Sequence, residues 1–455
     1  MSKRIIVFLV LALMLISTAT IYYYIYLPSI RKAVKLVVAT RLSKEEAEAI
    51  RSAFLSSQIC KEYGITDIEF RKIDMALWKD MALSGEIDAF FVGEIPVYNY
   101  LLQENALKKI DLEELKTLAD QVDDKFKGYG KSGDLYWIGI GVAVYGFILN
   151  ENFIDEYNIT IPSSWENITD PNFGKSILAG EKPISFPLPS KSGTAKTILH
   201  AILQKYGWEK GWETLTILGA LSRFVDSSER ARDEAAEGIV ALAPAYIGYG
   251  IYAENVSRGA AKFIIPQSEG ILYISPAAVA FNSPHPREAQ AFILWLLSDD
   301  GQREIAKLFY YIPVRKVSGV EFVRKYYEDL IKNAYEYNRT LAERVESAMI
   351  TYFEAAIADP DAHEMISEIW EKILKEYSRG RMSLDELNYL KVLMGKPLKI
   401  NDPETGEQNY FTIQFAIKLS EDISKNPTLK DALYNEIKEA ALQRYTSILK
   451  ELGTG

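Results

Sequence analysis

The sequence predicts an α/β protein of two lobes followed by an α-helical extension, and three observations carry that expectation. Short apolar runs alternate with helix-patterned stretches over the first hundred or so residues, a long glycine-rich apolar run over 135–149 carries the chain onward, and beyond Val314 the pattern turns almost wholly helical. At 455 residues, with 48% hydrophobic and 25% charged side chains, the chain holds material for two or three cores.

The elements follow in order. Leu36 to Ala39 reads as a buried strand, and Ser43 with Glu46 forms a capping box at the start of an acidic, alanine-rich helix from Lys44. A strand over 68–73, a helical stretch over 75–83 and a third strand leading to Gly93 complete a strand-helix alternation. Such an alternation gives a parallel sheet with right-handed crossovers. Ligands of these sheets bind beyond the carboxyl ends of the strands, which selects Thr40, Arg41, Gly93 and Glu94. The run over 135–149 is too long for one strand and too rich in glycine for a good helix, so it reads as strands crossing into a second lobe.

In that lobe a strand over 184–187 leads through a proline loop to Ser192, Gly193 and Thr194 and a helix over 195–206. Residues 207–212 interrupt before another helix; strands over 238–243 and 262–266 follow. Residues 275–281 read as a return strand to the first lobe, ahead of an amphipathic helix pair over 286–308. Helical patterns then fill 322–376 and 384–452, broken at Gly380, Pro403 and Pro427. The expected division is lobe I over 35–139 and 276–315, lobe II over 140–275, and a helical extension over 316–455.

Composition narrows the function. The 62 acidic against 52 basic residues, a net charge of -10, supply no basic face for phosphate neutralisation, so nucleic acid is not expected as a partner. One cysteine, Cys60, and three histidines exclude a disulfide framework and a cysteine-histidine zinc site. The 28 tyrosines and seven tryptophans suit faces that grip something small and polar.

Lys3 and Arg4 precede an uncharged run from Ile5 to Leu27, long enough at 1.5 Å per residue to cross a hydrocarbon core of roughly 30 Å. Residues 1–30 read either as a secretory signal cut near Ser17 to Ala19 or as an uncleaved signal anchor with Tyr22, Tyr23 and Tyr24 at the outer interface. The apolar run continues past the cut site, which favours the anchor. Both readings put the remaining chain outside the cell, and Asn158, Asn167, Asn255 and Asn338, each opening a glycosylation acceptor, agree with that placement.

Catalytic patterns are missing from the sequence. Gly174, Lys175 and Ser176 end like a phosphate-binding loop, but the leading glycine position holds Thr169. His200, His285 and His363 join no nucleophile and base, so neither enzymatic activity nor a cofactor or metal is expected. The turn of Ser192, Gly193 and Thr194 is better placed. A helix start after a strand aims backbone N–H groups and the positive helix end at one spot, which suits an oxyanion. An ordinary helix cap uses the same residues. Tyr246, Tyr249 and Tyr252 form a second candidate group, either core or ligand-facing, and Gly248 and Gly250 among them argue against a regular helix.

Taken in order, SGEIDAFF (84–91), the strand over 184–187 with Ser192 to Thr194, YGWEKGW (206–212), Tyr246 to Tyr252 with FIIPQSEG (263–270), and the stretch over 284–302 resemble extracellular solute-binding proteins of ABC importers. The resemblance is to the branch with ferric-ion, thiamine and phosphonate binders and spans about residues 35–315. It implies a type 2 periplasmic-binding fold, in which two α/β lobes close on a solute and deliver it to an ABC permease in the membrane. The ligand segments it implies are Thr40 and Arg41, Gly93 and Glu94, Ser192 to Thr194, and Tyr246, Tyr249 and Tyr252.

Ferric binders of that branch present two adjacent tyrosines, whereas this chain spaces them by three. The implied solute is therefore a small organic or oxyanionic molecule, with Arg41 and the Ser192 turn meeting its negative charge. Two rivals remain: a carbohydrate binder using Trp137 or Trp208 as stacking platforms, and a membrane-anchored surface structural or assembly protein whose carboxyl-terminal helices hold partners. The family does not require the helical extension, which reads as a cap on the first lobe or as a docking or dimerisation module.

Overall fold

The computed structural model describes residues 33–453, so the signal or anchor expected over 1–30 lies outside the described residues. Among the described residues no helix is long and apolar enough to cross a membrane. They divide into two units. The first takes the chain through Gly141 together with Ile274–Leu308 and Pro313–Val320; the second takes Val142–Tyr273, Phe309–Ile312 and the chain from Glu321.

In the first unit β1 (Val34–Thr40) is followed by α1 (Lys44–Ser56), β2 (Ile65–Lys72), β3 (Ala89–Phe91) and α2 (Ile95–Gln103). β1 lies between β2 and β3 and pairs in parallel with both. The capping box forms: Ser43 Oγ accepts from Glu46 N at 3.2 Å and Glu46 Oε2 accepts from Ser43 N at 2.7 Å, satisfying two backbone donors at the start of α1. Buried Trp78 stacks on Phe90 at 5.0 Å between ring centroids and meets Tyr98 edge-on at 5.9 Å, fixing the core beneath β3.

The chain passes between the units on β4 (Leu135–Asn150), a single strand of 16 residues in place of the several expected. Its length is tolerated because each half has its own partners. Lys127–Tyr129 pairs with its first residues, and Leu242–Tyr246 and Ala261–Ile264 pair with its last, so the backbone groups of both halves are satisfied.

The second unit continues with β5 (Ile184–Pro187), α3 (Gly193–Tyr206), α4 (Trp208–Ala220), β6 (Ser222–Val225), α5 (Ser228–Ala236), β7 (Leu242–Tyr246) and α6 (Ile247–Val256). β5 pairs in parallel with both β6 and β7. The interruption expected over 207–212 shrinks to Gly207, in a left-handed conformation at φ 83°, and α4 starts at Trp208. The strand expected over 238–243 starts at Leu242, because Gly238 at φ 78° still belongs to the turn that ends α5. Tyr249 and Tyr252 do lie on a helix, against expectation. Gly250 serves packing rather than helix breaking, since a Cβ there would stand 2.3 Å from the Phe263 ring.

The return strand β8 (Gly270–Ala280) pairs antiparallel with β3 through Ala277 to Val279 and leads to α7 (Pro286–Leu297) and α8 (Asp299–Phe309). Farther on, β9 (Ala334–Tyr335) pairs in parallel with Gly270 and Ile271 of β8 and precedes α9 (Arg339–Phe353).

The apolar side chains of the extension complete the core of the second unit instead of forming a separate core. Trp212 of α4 lies 4.4 Å from Tyr352, which stacks on Phe411 at 4.1 Å, and Phe353 sits 5.8 Å from Phe186 of β5. The reason lies in α4, where Trp212 and every residue from Thr214 to Ala220 are buried. A helix buried on all sides needs a further layer over it.

Candidate ligand-binding site

β5, β6 and β7 point the same way, and the helix after each, α3, α5 and α6, starts at their common carboxyl edge. Ser192 Oγ caps α3 by accepting from Ala195 N at 3.0 Å, and Ser227 Oγ caps α5 by accepting from Arg230 N at 3.1 Å. Ser192 Oγ and Ser228 Oγ are 2.6 Å apart, so these two helix starts touch. Gly193 is exposed, with open space where a Cβ would stand, while Thr194 is buried. Converging helix starts concentrate positive partial charge and backbone donors in one place.

α5 faces α6 through a cation and two rings. The Arg232 guanidinium lies 4.0 Å from the Tyr252 ring centroid and 5.0 Å from that of Tyr249, with Nε donating to Asp233 Oδ1 at 2.8 Å. Tyr249 donates its phenolic hydrogen to Glu229 Oε1. Tyr246 continues the row, 4.6 Å from Tyr249 and 6.5 Å from Tyr145 of β4. Burial, reinforced by the Glu229 carboxylate, pushes the Tyr249 phenol well above its ordinary range. Burial takes Tyr145 up to about 12. Both phenols are thus protonated at neutral pH and act as hydrogen-bonding groups rather than phenolates.

The first unit holds the other four sequence-selected residues. Thr40 is buried and its Oγ1 accepts from Leu42 N at 3.2 Å, whereas Arg41 is exposed, with Nη1 in a long 3.5 Å contact to Ile73 O. Thr40 pairs with Phe91 across β1 and β3, so Arg41 and the segment of Gly93 and Glu94 leave the sheet at adjacent strand ends. Gly93 admits the Trp78 ring, which a Cβ would meet at 2.8 Å, and Glu94 opens α2. Val92 just before them has φ 61°, a strained value for a β-branched residue, and donates its N–H to Pro276 O at 3.0 Å.

Ser228, Arg232, Tyr145 and Val92 were not legible as site residues. Only Ser227, which follows β6 and Asp226 and precedes Ser228, carries a recognisable cap signal. Arg232 meets rings 17 and 20 positions later, and nothing local announces that contact. The two tryptophans of the carbohydrate reading are committed elsewhere: Trp137 is buried with Nε1 donating to Asn99 Oδ1 at 3.1 Å, and Trp208 donates to Phe411 O at 2.6 Å while packing on Trp212.

A family model described as bacterial extracellular solute-binding protein matches residues 78–341. The chain is 28% identical over 170 residues to the phosphoglycerate transport regulatory protein PgtC of Salmonella typhimurium, a stretch of 37% of this chain and 40% of that protein. The match therefore spans about two fifths of the length of such curated relatives. Among solved structures, an extracellular solute-binding protein from Bordetella parapertussis aligns at TM-score 0.54 and 18% identity, over 70% of this chain and 98% of that one, and shares the mixed α/β fold. Iron-bound HitA from Pseudomonas aeruginosa aligns at TM-score 0.46 and 24% identity, over 62% and 87% of the two chains.

Proposed function

The chain belongs to the bacterial extracellular solute-binding protein family, and from that premise we propose that it is the solute-capturing component of an ABC importer, with a type 2 periplasmic-binding fold, that takes up a small anionic organic solute outside the cell. The permease of that importer is its membrane partner, and residues 1–30 deliver it to the outer face of the membrane as an anchor or a signal. Its work is capture, not catalysis.

The observation that carries the anionic reading is the 2.6 Å contact between Ser192 and Ser228, which joins the starts of α3 and α5, with Arg232 one turn into α5. Helix N–H groups and a guanidinium provide what a phosphate or carboxylate requires once it leaves water. Tyr246, Tyr249 and Tyr252 add phenolic groups that hydrogen-bond hydroxyl groups or lie against a carbon backbone. The name of the Salmonella relative, which refers to phosphoglycerate transport, fits an organic phosphate.

Two alternatives fit less well. Ferric ion takes phenolates as hard ligands, yet the Tyr249 hydroxyl donates a hydrogen bond to the Glu229 carboxylate, and burial together with that carboxylate holds the phenol protonated. A sugar stacked on Trp137 or Trp208 would require rings that the core already uses. Titration calorimetry of the full chain with inorganic phosphate, phosphoglycerate, ferric citrate, thiamine and maltose tests the reading. Binding of a phosphate compound that weakens tenfold or more in Arg232→Ala is expected; tight ferric binding abolished by Tyr249→Phe overturns it.

A further inference from the structure

The first unit carries an open cleft of about 1040 Å³ between the end of α2, the short strand Leu107–Lys108 and the turn over 129–134. Strand pairing puts this cleft at the amino edge of the parallel sheet, opposite the carboxyl ends that lead to Arg41 and Gly93. β8 runs antiparallel to β3, with Val279 opposite both Ala89 and Lys108, so Phe281 emerges where β3 begins, its N–H bonded to Ala106 O at 3.0 Å. β1 is parallel to β3, with Val38 opposite Ala89, and therefore starts at the same edge with Val34. The chain has a net charge of -10, yet the cleft is lined by Lys108, Lys109 and Lys131 and by a single carboxylate, Asp111, which already accepts from Gln290 Nε2 at 2.8 Å. Among the described residues these three lysines form no ion pair, whereas nearby Lys116, Lys125 and Lys127 are each paired with a carboxylate. Phe281 and Tyr129 stand in the same cleft, each 45% exposed.

We propose that this amino edge lies on the membrane surface and that the cleft binds the phosphates of anionic lipid headgroups. Unpaired ammonium groups attract such phosphates, and exposed rings beside them settle at headgroup level. The inference rests on the reading of residues 1–30 as an anchor. Only the six residues 28–33 separate Leu27, the end of the uncharged run, from Val34, and fully extended they reach at most about 25 Å. β1 thus begins near the bilayer, and the lysine cleft at the same edge begins there with it; Arg31 and Lys32 in the link carry the same sign of charge. An acidic protein segment would match the charge of the cleft but would not account for its place at the edge where the anchor enters.

The test uses the full chain with Gln103→Cys, an exposed position in the cleft, labelled with an environment-sensitive dye; the native Cys60 is buried and stays unlabelled. The labelled chain is reconstituted in vesicles of phosphatidylcholine alone or mixed with phosphatidylglycerol. The dye is expected to shift to the blue only with phosphatidylglycerol, and about 1 M salt should reverse the shift. Combining Lys108→Gln, Lys109→Gln and Lys131→Gln, with thermal melting to check folding, should weaken the response about fivefold per lysine. A folded triple variant that keeps the full shift, or an equal shift in both lipids, overturns the headgroup inference and leaves the anchor reading standing. A shift given by hexaglutamate in solution and not by the vesicles also overturns it, with an acidic protein segment as the occupant. A chain that does not sediment with phosphatidylcholine vesicles overturns the anchor reading and the inference with it.

Discussion

Glu354 accepts a hydrogen bond from the backbone N–H of Ser190 at 2.9 Å, which ties the π-helical turn Glu354–Ala358 after α9 to the loop that presents Ser192. The same helix holds α3 at two more places. Glu346 Oε1 pairs with Lys196 Nζ at 3.0 Å, and Gln204 exchanges two hydrogen bonds with the backbone of Asn338, at 2.7 and 3.0 Å. A segment that largely lies beyond the family match thus positions the candidate anion turn.

Replacing Glu354 with alanine is expected to weaken solute affinity about three- to tenfold, the worth of a typical hydrogen bond of about 1 kcal/mol, with a melting temperature close to that of the wild type. Glu354→Gln keeps an acceptor for Ser190 and should retain most of the affinity. Equal affinity for all three proteins in a titration would show that the loop holds its shape without Glu354.

Stability should fall in acid through Glu346. Its Oε2 stands 3.7 Å from His200 Nε2, and His200 first and Lys196 second hold the carboxyl at about 2 against an ordinary 4.5. A carboxyl depressed by folding stabilises the native state above the unfolded value, and that contribution disappears as pH drops from about 4.5 to about 2. Melting curves across this window should show a shallower decline for Glu346→Gln than for wild type. The side chain is 39% exposed, so water screening keeps the effect modest.

Truncation after Val320 should abolish folding of the second unit instead of releasing an intact binding domain. It would strip Tyr352, Phe353, Ile357 and Trp370 from a core they share with Phe186, Trp212 and Leu218, and each large side chain lost from such a core costs about 3 kcal/mol or more. Limited proteolysis and circular dichroism of the truncated chain would check this; a cooperative melt with solute binding intact would restore the separable-module reading.

Trp208→Ala should destabilise the protein by about 2 to 4 kcal/mol and leave solute affinity within about twofold, because the indole bonds Phe411 O and packs on Trp212. Chemical denaturation together with a binding titration separates the two effects. Lost affinity at unchanged stability would revive a stacking role for this ring.

Much of the parallel framework could be read locally. The Ser43 capping box, the strand over 184–187 and the Ser192 helix start each depend on neighbours within a few residues, and all three stand as read. Periodicity failed where a residue answered to a distant partner. Gly250 looked like a helix breaker because the Phe263 ring that requires it is 13 positions away, and residues 135–149 looked too long for one strand because the separate partners of its two halves are invisible along the chain.

The sequence by itself determined the α/β class, the exclusion of a cysteine-based framework, the resemblance to solute-binding proteins and the turn at Ser192 to Thr194, since composition and short-range pattern are enough for these. Only the tertiary structure decided that the carboxyl-terminal helices finish the second unit, that Arg232 lies against Tyr249 and Tyr252, and that Trp137 is buried while Trp208 packs on the core. Those outcomes depend on which apolar faces remain uncovered and on contacts between side chains far apart in sequence, and no local pattern encodes either.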